Sequence, residues 1–206
     1  MAITKIRRTQ AERTEATKQA LIDSAIKLLN SHGYAGATLA LIAEDAGVTR
    51  GSILHQFGTR AALMTEVVKW VYAEEFALYG ELIPKSPHRG HKLSDWPLIT
   101  WQVLSRPSAT AVLEILQGSR SDADLAEHLR PVQAEIERSS MSVLQAMHAM
   151  NLNNPRDRAI YRVVVAAVRG LSLQKLTADP ADLEAAVQML NDLVRYAELE
   201  DENAPT

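Results

Sequence analysis

The sequence predicts an all-α fold, and three observations carry that prediction. Apolar residues recur at i, i+3, i+4 and i+7, the spacing of one buried helical face, in segment after segment. Breaks rich in Gly, Pro and Asn separate those segments. No apolar run approaches the 18 residues of a membrane span, so the apolar faces are expected to bury against one another, with no membrane partner. Apolar residues at 47% and charged residues at 23% suit an ordinary globular core.

The first residues have no apolar period. Residues 1–13 read as a basic arm, in which Lys5, Arg7, Arg8 and Arg13 suit phosphates or a minor groove, and equally a solvated tail. Arg7 and Arg8 are the arm's candidate DNA contacts. A helix follows from Thr14 to Ser31, with the stripe Ile22, Ala25, Ile26 and Leu29, and Gly33 ends it. Tyr34 then packs with its hydroxyl near solvent.

Residues 38–57 carry the strongest motif. Thr38 is placed as the N-cap of a short helix with the stripe Leu39, Ile42, Ala43 and Ala46, and Gly47 stops it. Val48 plugs the turn. Thr49 caps a second short helix whose apolar positions are Ile53 and Phe57, leaving Arg50, Ser52, Leu54, His55 and Gln56 for other faces. Two short helices about a glycine turn, the second offering donors outward, form a helix-turn-helix suited to the major groove.

Charge agrees with that reading. Residues 1–60 hold eight Lys/Arg and five Asp/Glu, a net of +3, while the remainder holds 14 and 20, a net of −6. A basic reader on an acidic body suits site-specific binding better than indiscriminate coating of DNA.

The run from His32 to Val68, HGYAGATLALIAEDAGVTRGSILHQFGTRAALMTEVV, resembles the N-terminal DNA-binding region of TetR-type transcriptional regulators. GY, T, IA, AGV, T, G, F and then a hydroxyl residue, a cation and Leu63 fall in order. The resemblance implies an all-helical homodimer, with an N-terminal DNA-binding domain and a larger domain that binds a small-molecule effector and dimerises. By position it assigns DNA contact to Thr38, Thr49, Arg50, Gly51, Ser52, Leu54, His55, Gln56, Thr59 and Arg60. Three positions depart from the family's common residues. Leu54 stands where Tyr is common and offers only apolar contact, Gln56 stands for His, and Arg60 stands for Lys. The domains are therefore expected at residues 1–60, the helix-turn-helix, and 61–206, the effector and dimerisation body.

A fourth helix is expected from Arg60 to about Tyr79, with Leu63, Val67 and Val71 inward. Residues 80–97, with three prolines and two glycines, read as a loop. His88 and His91 lie in it, but with too few companions for a metal site. Helices are expected near Leu98–Leu104, over Ser108–Leu116 after Pro107, and from Asp122 to Met150 with Pro131 as a possible break. After the NLNNP turn, two helices occupy residues 156–176 and 181–197. Their stripes are wide, and the resemblance implies that they pair with their copies as a four-helix interface. Val164, Ala167, Val168, Leu171, Leu183, Val187, Leu190 and Val194 are the residues expected there. Trp70, Phe76, Trp96, Trp101, Met141, Met147, His148, Tyr161 and Gln174 are the candidates for an effector pocket, although an aromatic or Met at helical spacing, taken singly, is more often plain core.

The absence of cysteine excludes disulfides and thiolate metal sites and suits the cytoplasm. No acid/base pair, nucleophile constellation or phosphate-cradling glycine loop is present, so neither an enzyme nor a cofactor is expected. The function expected is a dimeric, ligand-released repressor of a pseudo-palindromic operator in double-stranded DNA. An activator, or a helical architectural module without an effector, is the alternative, since operator position rather than sequence separates activator from repressor.

Overall fold

In the computed structural model, residues 9–89, 92–146, 151 and 153–202 are described, and all regular structure among them is helical. Nine α-helices follow in order: α1 (Gln10–Gly36), α2 (Leu39–Asp45), α3 (Arg50–Phe57), α4 (Arg60–Leu82), α5 (Trp96–Leu104), α6 (Pro107–Gly118), α7 (Ala123–Ala146), α8 (Pro155–Gln174) and α9 (Pro180–Glu202). Arg7, Arg8, His91, Met147, His148 and Met150 lie outside the described residues.

The helices group into two compact units, the first comprising residues 1–70 and 114–129, the second 71–113 and 130–206. In the first unit α1 starts four residues earlier than its stripe suggests, because Thr9 closes a capping box. The Glu12 N–H donates to its hydroxyl (3.2 Å) while its own N–H donates to the Glu12 carboxylate (2.7 Å). The helix bends at Gly33, the position expected to end it. Leu21, Ile22, Ala25 and Leu29 of α1 are fully buried, as are Ile42 of α2, Ile53 of α3, and Leu63, Met64, Val67 and Val68 of α4. Three helices alone would leave this core open. The segment 114–129 adds Ile115, Leu125 and Leu129 to the buried set.

Tyr34 organises that addition. Its N–H donates to Glu114 (3.1 Å) and its hydroxyl to Asp122 (2.6 Å), whose other oxygen caps α7 by accepting from the Leu125 N–H (3.1 Å). Burial, then the Asp122 bond, raises the Tyr34 phenol above its ordinary range, and the same bond holds the Asp122 carboxyl below its own. Gly118 is required by this contact, since a Cβ there would overlap the Tyr34 ring.

In the second unit α5 packs on α8 and α9. Trp96, Ile99, Val103 and Leu104 of α5 form a core with Val164 and Val168 of α8 and Leu190 and Val194 of α9. The expected loop after α4 is ordered as two 3-10 turns, Ile83–Lys85 and Leu93–Asp95. Buried Asp95 holds it by accepting from the Ser86 hydroxyl (2.8 Å) and the His88 N–H (3.1 Å) and by bonding the His88 ring (2.9 Å). His88 is thereby a loop clasp, and among the described residues no His/Cys/Asp/Glu group is arranged to hold a metal. α7 runs on through Pro131. No helix is long and apolar enough to cross a membrane among the described residues.

Candidate DNA-reading head and ligand cavity

The turn between α2 and α3 is fixed by local chemistry. The Thr38 hydroxyl accepts from the Leu41 N–H (3.3 Å) and the Thr49 hydroxyl from the Ser52 N–H (3.1 Å), so each helix has the cap its sequence calls for. Gly47 ends α2 with φ +67°, the left-handed region where a side chain is strained. Ile53 is fully buried and pins α3 to the core, which leaves one side of that helix open: Arg50, Gly51, Leu54 and His55 are exposed. These positions sit one turn apart in two adjacent rows, a single continuous reading face. Thr38, Thr49 and Thr59 are exposed at the starts of α2, α3 and α4, where N-terminal N–H groups and helix dipoles favour phosphate.

Other expected contacts are placed differently. Arg60 donates to the Tyr34 and Ala37 carbonyls and lies 3.9 Å over the Tyr34 ring, so its guanidinium braces α1 against α4. A shorter Lys would project at this position; the planar Arg folds back because two carbonyls and a ring match its fork. The Gln56 carboxamide oxygen is enclosed, and the Ser52 hydroxyl is engaged with Thr49 (2.9 Å). Lys18 pairs with Glu66 (3.1 Å) and Lys27 with Asp45, leaving Arg50 as the cation of the α3 face.

The second unit holds a partly open cavity of about 80 Å³ between α4, α5, α7 and α8. Three of the expected pocket residues line it: Phe76, Trp96 and Tyr161. Trp70 belongs to the first unit, Gln174 is exposed at the end of α8, Met141 is not on the wall, and Trp101 faces Lys175, whose ammonium stands 5.9 Å from its ring. The polar wall was not foreseen. It includes Glu75, Tyr72 and Tyr79 from α4, Thr100 from α5, Ser140 from α7 and Arg169 from α8. The available signal was a charge inside an apolar stripe, Glu75 in WVYAEEFALY and Arg169 in VVVAAVRGLSL.

Glu75 is 4% exposed and has no hydrogen-bond or ion-pair partner among the described residues. Burial raises its pKa to about 7, with Arg169 and then Arg106 pulling the other way. Arg169 donates to the Tyr72 hydroxyl (2.9 Å), and the Trp96 indole N–H is buried without an acceptor.

The stripes assigned to a dimer interface require a correction. Val164, Val168, Leu183, Val187, Leu190 and Val194 are buried within the chain itself, and Ala167 and Leu171 are half-buried. Both helices are two-sided, and the more regular stripe packs on α5. The opposite faces are the open apolar ones: Ala159, Val163, Ala166, Gly170 and Leu173 on α8, and Ala185, Met189, Leu193 and Tyr196 on α9.

This architecture, a capped helix-turn-helix in one unit and a cavity in a second helical unit, is that of a helix-turn-helix transcriptional regulator. Residues 21–67 match the family model described as bacterial regulatory proteins, tetR family. The chain is 28% identical over 181 residues to the HTH-type transcriptional regulator CymR of Pseudomonas putida, covering 82% of this chain and 84% of the relative. It is 25% identical over 187 residues to the regulator BetI of Burkholderia mallei, covering 87% and 92%. Among solved structures, a TetR-family member from Streptomyces coelicolor A3 is 25% identical with a TM-score of 0.62, covering 86% of this chain and 97% of that one. The multidrug binding protein EbrR complexed with imidazole shares the fold at a TM-score of 0.60. The N-terminal module of the chain thus matches the tetR-family model, and the curated proteins it resembles over most of its length are transcriptional regulators.

Proposed function

We propose that this protein is a repressor that binds a pseudo-palindromic operator as a homodimer, in the cytoplasm, and leaves it when a small molecule fills the cavity of the second unit. The single observation that carries the reading is that one chain has both an open α3 face, Arg50, Leu54 and His55, and a cavity lined by a buried carboxyl with no hydrogen-bond partner among the described residues. The first unit, residues 1–70 with 114–129 rather than 1–60 alone, supplies the reader, and the second unit holds the effector and joins the two copies. The joining surface is the open apolar side of α8 and α9, where Ala166 and Gly170 allow close helix approach. Two α3 helices related by a two-fold axis read half-sites about one DNA turn, ~34 Å, apart. Arg50 suits a guanine edge or phosphate, Leu54 a thymine methyl, and the basic arm with Arg7 and Arg8 the adjacent minor groove.

Effector release is a population shift: a ligand that prefers the body conformation incompatible with two-half-site binding weakens operator affinity by its differential binding energy. A gel-shift titration against DNA flanking the protein's own coding region tests the reading. A sequence-selective, salt-sensitive shift that Arg50→Ala and His55→Ala abolish is the expected result. Equal affinity for all fragments would refute it in favour of an architectural DNA binder.

A further inference from the structure

The chemistry of the cavity selects an effector class. Of the ten Phe, Trp and Tyr residues in the chain, five (Tyr72, Phe76, Tyr79, Trp96 and Tyr161) line this one space, so the body of a ligand meets rings as well as aliphatic side chains. At about 80 Å³ the space is roughly half that of an engineered apolar cavity that takes benzene, which limits the ligand to a compact molecule.

The polar lining is unbalanced. Among the described residues Arg169 uses one donor on Tyr72 and forms no ion pair, Glu75 has no hydrogen-bond or ion-pair partner, and the Trp96 N–H has no acceptor. An acid and a base thus share a cavity without neutralising each other in direct contact. A bound ammonium would leave two cations against one carboxylate in a space walled by rings, and burying an uncompensated charge is costly. A bound carboxylate, with the Glu75 carboxyl neutral, leaves one anion against Arg169 and no net charge. It also accepts from the orphaned donors.

Resting on the reading of this cavity as the effector site, we propose that the effector is a compact organic monocarboxylate, its carboxylate held by Arg169 with Glu75 and the Trp96 N–H as further donors and its apolar body against the rings. Glu75 donates only when protonated, and its burial makes that form accessible near neutral pH. The groups facing it are Arg169 from α8, Arg106 from the turn before α6, and the phenols of Tyr72, Tyr79 and Tyr161. Above about pH 7 each bound ligand takes up one proton, so affinity falls about tenfold per pH unit; below about pH 7 it is flat until the ligand itself protonates. An amine ligand requires the reverse slope, because it needs the Glu75 carboxylate.

Isothermal titration of the full chain in two buffers of different ionisation enthalpy, between about pH 6 and pH 9, tests the proposal. The probes are two shape-matched sets: propionate, propylamine and propan-1-ol, and butyrate, butylamine and butan-1-ol. The expected result is carboxylate binding with proton uptake and the falling slope. Glu75→Gln, which donates without titrating, keeps binding and removes the slope. Arg169→Gln weakens carboxylate binding by about 30-fold or more, with Arg169→Lys retaining part of it. Preferential amine binding, an affinity that rises with pH, or no binding by either carboxylate overturns the inference. Operator binding is followed separately. Release of the operator by a non-acidic molecule occupying the cavity refutes the ligand class and leaves the repressor reading intact. Carboxylate binding with no change in operator affinity supports the ligand class and refutes the cavity's role in release.

Discussion

The open faces of α8 and α9 make a quantitative prediction about assembly. Leu193 is 58% exposed and Met189 60% exposed in the single chain. Fully burying an exposed Leu or Met side chain contributes about 1.5–3 kcal/mol, so covering this fraction gives about 1–2 kcal/mol per residue. In a two-fold interface every substitution acts twice. Leu193→Ala, which removes most but not all of the side chain, is therefore expected to weaken the dimer by about 2–3 kcal/mol, roughly 30- to 150-fold in dissociation constant. Leu193→Asp is expected to give a folded monomer. Val168, fully buried on the inner side of α8, supplies the contrast. Val168→Ala loses two methyl groups from the chain's own core and is expected to cost about 2 kcal/mol of unfolding free energy, including in the Leu193→Asp monomer where no interface remains to be lost. Sedimentation equilibrium across protein concentration measures the first effect and urea unfolding the second. An unchanged dimer constant in Leu193→Ala, together with a weakened dimer and unchanged monomer stability in Val168→Ala, would refute the assignment of inner and outer faces.

Four further outcomes are expected. Because the Glu75 pKa is raised to about 7 in the folded chain, the native state holds a proton that the unfolded chain has released. Stability should therefore fall as pH rises from the ordinary glutamate range to about pH 7, by about 3 kcal/mol, and level off above it; Glu75→Gln should flatten this dependence in a urea series. Arg60→Lys should lower stability by about 1–2 kcal/mol, seen as an earlier urea midpoint, with less than twofold change in operator affinity, because the guanidinium is committed to the Tyr34 and Ala37 carbonyls. Gly118→Ala should cost about 1–3 kcal/mol by forcing the Tyr34 ring aside, measured by thermal unfolding and by loss of the shifted Tyr34 ring resonances. Arg50→Ala should weaken selected operator fragments by about 1–3 kcal/mol per half-site while changing the unfolding midpoint little, since its side chain is exposed and unpaired.

The reading head was legible because its determinants are local. Thr38, Gly47 and Thr49 each act on residues within one turn, so caps and breaks appear in the sequence at the positions where the structure uses them. Ile42, Ile53 and Leu63 then follow from period alone. Arg60 was misread for the converse reason: its partners, the carbonyls of Tyr34 and Ala37, are 26 and 23 residues away, and carbonyls carry no side-chain signature. The α8 and α9 faces show a second limit. A helical stripe says that a face is buried, not by what, and each of these helices carries two apolar faces with one set of partners in the chain. The pocket residues fail similarly. Phe76 and Trp96 share aromatic character with Trp101, yet the first two line the cavity while the Trp101 ring lies near the Lys175 ammonium.

The segment 114–129 changes what the reading head is. In sequence it lies nearly 60 residues beyond α3, yet Glu114 and Asp122 satisfy the backbone and hydroxyl of Tyr34, and Ile115, Leu125 and Leu129 complete the first unit's interior. Asp122 does two things at once, taking the Tyr34 proton donor on one oxygen and capping α7 with the other. The first turn of α7 therefore cannot unwind without also releasing Tyr34, a joint loss of two hydrogen bonds, both accepted by the Asp122 carboxylate. The same helix later presents Ile136, Ser140 and Leu144 to the cavity.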